Sequence, residues 1–250
     1  MKRHLSIWML MARSTVYKVL GLFLALIAAD GALFAWALRQ MEQRMNPGVL
    51  DMTEHWIAPS LERALEGSYF SLAFGVCLLA LTAVLCLTGC EFSAKQGYTL
   101  RRLRVSQREI FVWQMVHNAV CYFLLWAVQA GIALAVCRAY TARYPDWVSG
   151  QTVFLAFYRH SFLHSLLPLA DGWRYVRNAV LCVTLGMCMA AFPVLQRHGK
   201  KSIGAVILPV TTAVYFGQPI ASGDFEIIVV ALLVTVLAMI RALEVSKDEA

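Results

Sequence analysis

Five stretches of the chain, residues 19–38, 69–90, 110–137, 178–196 and 202–223, are each about as long as a bilayer crossing, with one formal charge among them, at Asp30. Crossing about 30 Å of hydrocarbon takes roughly 20 apolar residues, and only a helix or a closed barrel satisfies its own backbone polar groups there. Residues 225–243 form a sixth run, whose uncharged centre at 227–240 is short unless Glu226 and Arg241 reach the two interfaces. The pattern predicts an all-α integral membrane protein of six transmembrane helices, with residues 1–250 as a single transmembrane domain.

Composition agrees. Charged residues make up 15% of the 250 and hydrophobic ones 60%, where soluble domains carry roughly 25% charged. The net charge of +7 is spread in short clusters beside apolar runs, so it fits membrane topology and not a nucleic-acid partner. Seven cysteines, an odd number, fall mostly within apolar runs in no metal spacing and read as small hydrophobes. The first run begins near Val19 and is long enough to stay as an anchor.

Lys and Arg orient the spans. The segments before the first run, after the second, after the fourth and after the sixth hold 14 of them, against 8 in the other loops, which predicts both termini in the cytoplasm (N-in/C-in). Ahead of the first span, Leu5, Trp8, Met9, Ala12, Val16 and Val19 share a helical face while Lys2, Arg3, Arg13 and Lys18 lie off it. Residues 1–18 therefore read as an amphipathic helix lying in the interface. Residues 152–170 are apolar but carry Arg159, His160 and His164, and read as an outer interfacial helix or a re-entrant piece.

The second cytoplasmic loop carries an acid just below the second span, Glu91, a turn-permitting Gly97, then a short basic amphipathic piece with Thr99, Leu100, Arg101, Arg102, Leu103 and Arg104. Ser106 with Glu109 three residues on is the signature of a capping box opening the third span, and Arg108 lies between them. A short rigid helix between two spans is a handle on which another protein can push; a basic inter-span loop is the simpler reading.

In Glu91, Gly97, Thr99, Leu100, Leu103, Val105, Ser106 and Arg108 this loop resembles that of the permease subunits of ABC-2-type bacterial ABC transporters. Arg104 stands where that family usually has Pro, and Gln107 where it often has a basic residue. The motif covers about twenty residues, and the six-span layout extends the similarity over the chain. The resemblance implies a membrane-spanning permease subunit of an ATP-driven exporter in the plasma membrane, paired with a second permease subunit, identical or paralogous. It implies that 97–108 is the coupling helix docking on a separate ABC ATP-binding subunit, which would carry the ATP and Mg. No phosphate-binding loop stands in this chain: the nearest string, Gly199-Lys200-Lys201-Ser202, reads as an inter-span turn. No catalytic residue, metal or cofactor is therefore expected in the chain itself.

Asp30 inside the first span is either part of a substrate path or partner contact, or an acid near the outer headgroups. Gln114, His117, Asn118 and Gln129 in the third span suit hydrogen bonds between helices; Asp30, His117 and Asn118 are the candidate pathway or interface residues. Pro193, Pro209 and Pro219 can kink the fourth and fifth spans, and a broken piece at 216–223 would make the outer return. His160 and His164, four apart, with an acid such as Asp171, define the competing reading, an intramembrane metal-dependent hydrolase. A non-catalytic membrane scaffold is the third.

Overall fold

The computed structural model describes residues 2–46, 57–95, 106–169, 171–217 and 223–247. Among them there is no strand, and five helices are long and apolar enough to cross a membrane. In chain order the helices are α1 (Lys2–Met45), α2 (Leu61–Glu66), α3 (Phe70–Lys95), α4 (Gln107–Arg143), α5 (Thr152–Arg159), α6 (Ser161–Leu166), α7 (Gly172–Arg197), α8 (Gly204–Gly217) and α9 (Asp224–Lys247). The five long ones are α1, α3, α4, α7 and α9.

Side-chain contacts fix the direction of each helix. Along α1 and α4, Thr15 meets His117, Asp30 meets Gln129 and Glu42 meets Arg143, so these two run parallel. Between α1 and α3, Lys18 lies by Glu91 and Phe34 by Phe70, which makes them antiparallel. The α4–α7 pair is also antiparallel, with Ala119 against Gly186 and Trp126 against Tyr175. In α7 and α9, Arg177 meets Asp224 and Cys188 meets Thr235, a parallel pair. Finally, Gly204 of α8 lies by Val234 and its Tyr215 by Asp224, so α8 returns antiparallel to α9. Hence α1, α4 and α8 run one way and α3, α7 and α9 the other, and α1 begins and α9 ends at the same end of the bundle.

The fifth apolar run is shorter as a helix than its sequence suggests. α8 has 14 residues, about 21 Å at about 1.5 Å per residue, below a full crossing. Pro209 lies inside it, and most of the broken piece expected at 216–223 lies outside the described residues, Pro219 included. Even so, α8 reaches from the level of Asp224 to that of Val234 and Ala238.

The N-terminal segment departs from expectation. There is no helix end at residue 18: residues 2–45 form one helix of 44 residues, about 66 Å long. The sequence 2–20 holds no Gly or Pro to break it, and Gly21 sits where nothing crowds it. Among the described side chains of this part Met11, Thr15 and Val19 are buried, while Met9 and Val16 are exposed. The inward stripe is thus rotated away from Met9 and Val16 and runs through Trp8, Met11, Thr15 and Val19: Met11 packs on Ile110 and Trp113 of α4 and Trp8 sets its ring edge-on to Trp113 and His117.

Residues 152–166 fold as α5 and α6, joined at His160. The first shows a strong apolar side, and α6 is buried from Phe162 to Leu166. Phe162 packs on Phe74 and Phe216, and Trp126 Nε1 donates to the Leu166 carbonyl at 3.0 Å. This loop is therefore tucked into the bundle against α3, α4 and α8. The opposite connection, between α7 and α8, is a tight turn: Gly199 takes φ +66°, and the amides of Gly199 and Lys200 close back on the carbonyls of Gln196 and Leu195. The Gly199–Ser202 string sits in this turn.

Candidate functional site

Three polar pairings stand at successive depths on the seam between α1 and α4. At the end where the chain begins, the Thr15 hydroxyl donates to the Met11 carbonyl at 2.5 Å, and His117 Nε2 lies 3.0 Å from the same oxygen. With its proton committed to Met11, Thr15 accepts from the ring, which must carry its hydrogen on Nε2 and present Nδ1 as a bare acceptor. His117 Nδ1 and the Asn118 side-chain amide nitrogen are buried with no hydrogen-bond partner. His117 and Asn118 line a small pocket of about 20 Å³ together with Met11, Ser14, Thr15, Leu85, Thr88, Gly89 and Gln114. Gly89 makes room there: a Cβ on it would stand 2.5 Å from Gln114 Nε2 and 2.7 Å from Pro193 Cγ.

At mid-bundle, Gln129 Nε2 donates to Asp30 Oδ2 at 2.8 Å. Asp30 is wholly buried within the bundle. At the far end, Glu42 accepts from Arg143 Nη2 at 3.0 Å and from the Tyr144 hydroxyl, while Arg143 Nε donates to the Tyr144 oxygen at 2.9 Å. Burial and the Glu42 carboxylate push the Tyr144 phenol above its ordinary range. Nearby, Tyr140 donates to the Pro59 carbonyl at 2.5 Å, which fixes the end of α4 to the segment before α2.

A second polar centre ties four helices together where α7 and α9 begin. Arg177, 1% exposed, donates to Asn178 Oδ1 from Nε and Nη2, to the Ser165 carbonyl at 2.9 Å, to the Tyr215 hydroxyl at 3.2 Å and to Asp224 Oδ1 at 2.5 Å. Arg174 Nε adds a bond to Asp224 Oδ2 at 3.1 Å, and Asn178 Nδ2 donates to Ser165 as well. The guanidinium lies 5.2 and 5.5 Å from the ring centres of Tyr215 and Phe216. A buried cation is tolerated only when its donors and charge are met, and here α6, α7, α8 and α9 supply the partners. Sequence reading passed over this centre. Its local signal was Arg174 and Arg177, three apart on one face at the start of an apolar run, with Asp224 opening a later one.

The other sequence-derived candidates fall as follows. Ser106 and Glu109 form the expected capping box, Ser106 Oγ accepting from the Glu109 amide at 3.2 Å and Glu109 returning a carboxylate to the Ser106 amide at 3.3 Å. Glu91 pairs with Lys18 at 3.5 Å, both about half exposed, and Arg108 is exposed in the first turn of α4. Gly97, Thr99, Leu100, Arg101, Arg102, Leu103 and Arg104 lie outside the described residues. His160 Nδ1 caps α6 by accepting from the Leu163 amide at 3.4 Å. His164 is buried with its ring edge-on to Tyr158, and Asp171 pairs with Arg174 at 3.4 Å. Burial lowers the basicity of both histidines, opposed at His160 by Glu66 and aided at His164 by Arg174. Among the described residues no group of three or more His, Cys, Asp or Glu side chains is placed to hold a metal. Compared with known proteins, the chain matches no family model, no curated protein and no solved structure.

Proposed function

We propose that the chain is the membrane-spanning permease subunit of an ATP-driven exporter of the ABC-2 type, with six crossings and both termini in the cytoplasm of a bacterial plasma membrane. What supports the reading is the sequence of residues 91–108, whose described flanks, Glu91 in α3 and the first turn of α4, lie toward the end of the bundle where α1 begins and α9 ends. Among the described residues that end includes Lys18, Arg108, Arg197, Lys200 and Lys201. By the positive-inside rule it faces the cytoplasm, where an ATP-binding subunit would reach it. In this account α8, though short, serves as the fifth crossing.

The loop can pass a push into the bundle. The Ser106–Glu109 box stiffens the first turn of α4, and α4 is a single helix of 37 residues, about 55 Å long. It packs most extensively on α7 and also along α1. A force at the loop from 97 to 108 would thus move a rod against two neighbours, the element that alternating access needs. The translocation path would form between two such subunits, and ATP and Mg would reside on the partner ATPase.

The test neutralises Arg101, Arg102 and Arg104 to Gln together and measures retention of the ATP-binding subunit on the affinity-purified protein. Retention falls while helical content and detergent stability hold; unchanged retention would refute this placing of the docking segment.

A further inference from the structure

We propose that Asp30 and Gln129 form a proton-binding site inside the bundle, with Asp30 held as the neutral carboxylic acid. The inference stands apart from the transport reading. It rests on how two buried side chains share their hydrogen bonds.

An ionised carboxylate is an acceptor at both oxygens, whereas a glutamine amide offers donors at nitrogen and an acceptor at oxygen. Gln129 Nε2 serves Asp30 Oδ2 at 2.8 Å. The remaining oxygens, Asp30 Oδ1 and Gln129 Oε1, are both buried and both lack a partner. Two acceptors cannot satisfy each other, and a lone charge in this place is costly twice over, in desolvation and in lost hydrogen bonds. No ion pair among the described residues involves Asp30.

One proton on Oδ1 resolves both ends. The acid then donates to Gln129 Oε1 while accepting at Oδ2 from Nε2, a closed acid–amide pair with two hydrogen bonds and no net charge. The surroundings favour the neutral form. On α3 the titratable neighbour is Cys77, a buried free thiol, and the nearby faces of α1 and α3 contribute Leu26, Phe34, Phe74 and Leu78 to the core. Taking up the proton converts a carboxylate and a hydron into a carboxylic acid; releasing it returns the charge to Asp30 and leaves two buried acceptors without a donor. Protonation is therefore linked to the packing of α1 on α4: the neutral pair holds the seam closed, and ionisation opposes it.

The experiment is infrared spectroscopy of the full chain in lipid nanodiscs at neutral pH, with aspartate labelled by ¹³C at its side-chain carboxyl. Ordinary Asp side chains, with pKa about 3.9, are ionised there. The expected result is an isotope-shifted carboxylic-acid C=O band that moves again in D2O and vanishes in Asp30→Asn. No labelled acid band in the wild type, or a band that survives Asp30→Asn, overturns the proposal. Stability provides a second readout that does not need the spectrum. Asn at 30 can hold the same two hydrogen bonds and should unfold at a temperature close to the wild type, whereas Asp30→Leu should unfold lower. An Asn variant as weak as Leu, or a wild type stabilised by added Na⁺ or K⁺ through Asp30, would assign a charged carboxylate with a cation and overturn the neutral pair.

Discussion

Where α7 crosses α4, the backbones come close enough that only glycine fits. A Cβ built on Gly186 stands 2.6 Å from the amide nitrogen of Ala119, 2.8 Å from its Cα and 2.9 Å from its Cβ. The obstacle is main chain, which cannot rotate aside, so Gly186→Ala forces the helices apart by roughly 0.5–1 Å. A gap of about 0.5–1 Å forfeits about a quarter to a half of the dispersion attraction between facing atoms, and overpacking of this kind costs about 1–3 kcal/mol. Ala is the better helix former by about 1 kcal/mol, so the net loss expected is about 0–2 kcal/mol, or about 1–3 kcal/mol relative to a helical Gly→Ala change without a clash, and more for Gly186→Leu. Gly131 sits in α4 with nothing within 4 Å of a built Cβ, so Gly131→Ala lacks the clash and should be neutral or stabilising. Reversible unfolding in mixed SDS micelles reads both variants on one scale. If Gly186→Ala matched Gly131→Ala, the close α4–α7 crossing, and with it the packing that would carry a push from the loop, would be wrong.

Other consequences are as specific. Arg177→Met removes the cation that α6, α7, α8 and α9 share and leaves Asp224 with Arg174 and Tyr215, costing about 3 kcal/mol in the same assay. Asp224→Asn should cost at least as much, because it leaves the buried Arg177 cation with neutral partners only, Asn178, Ser165 and Tyr215; a clearly smaller loss would contradict the geometry. Ser106→Ala removes one half of the capping box, worth about 1 kcal/mol, and should speed hydrogen exchange at the Glu109 amide while leaving the middle of α4 unchanged. His160, held less basic in the folded chain by burial, favours its neutral form. Its contribution is therefore present above the ordinary histidine pKa of about 6.5 and is lost as pH falls through the lower folded value. The melting temperature should drop between neutral and mildly acidic pH, and His160→Asn, which keeps an N-cap, should flatten that drop.

What sequence could and could not reveal follows from the range of each interaction. The apolar runs and the Ser106–Glu109 box depend on neighbours a few residues away and were legible directly. The single α1 helix was not, because the amphipathic face of 1–18 fits an interfacial helix as well as one docked on α4; the choice is made by Ile110 and Trp113, about a hundred residues on. The same holds for Asp30, whose partner is 99 residues distant, and for Arg177 and Asp224, 47 apart. The apolar 152–170 loop likewise reads as membrane-seeking by composition, and it is the facing Phe74, Trp126 and Phe216 that draw it into the bundle.

The most direct measurement of the proposed function is purification of the tagged full-length protein from its native membrane in mild detergent, with mass spectrometry of what stays bound. A stoichiometric ABC ATP-binding subunit, lost when the 97–108 arginines are neutralised, is the expected result. An intact chain recovered in several mild detergents and in nanodiscs with no such subunit would contradict it.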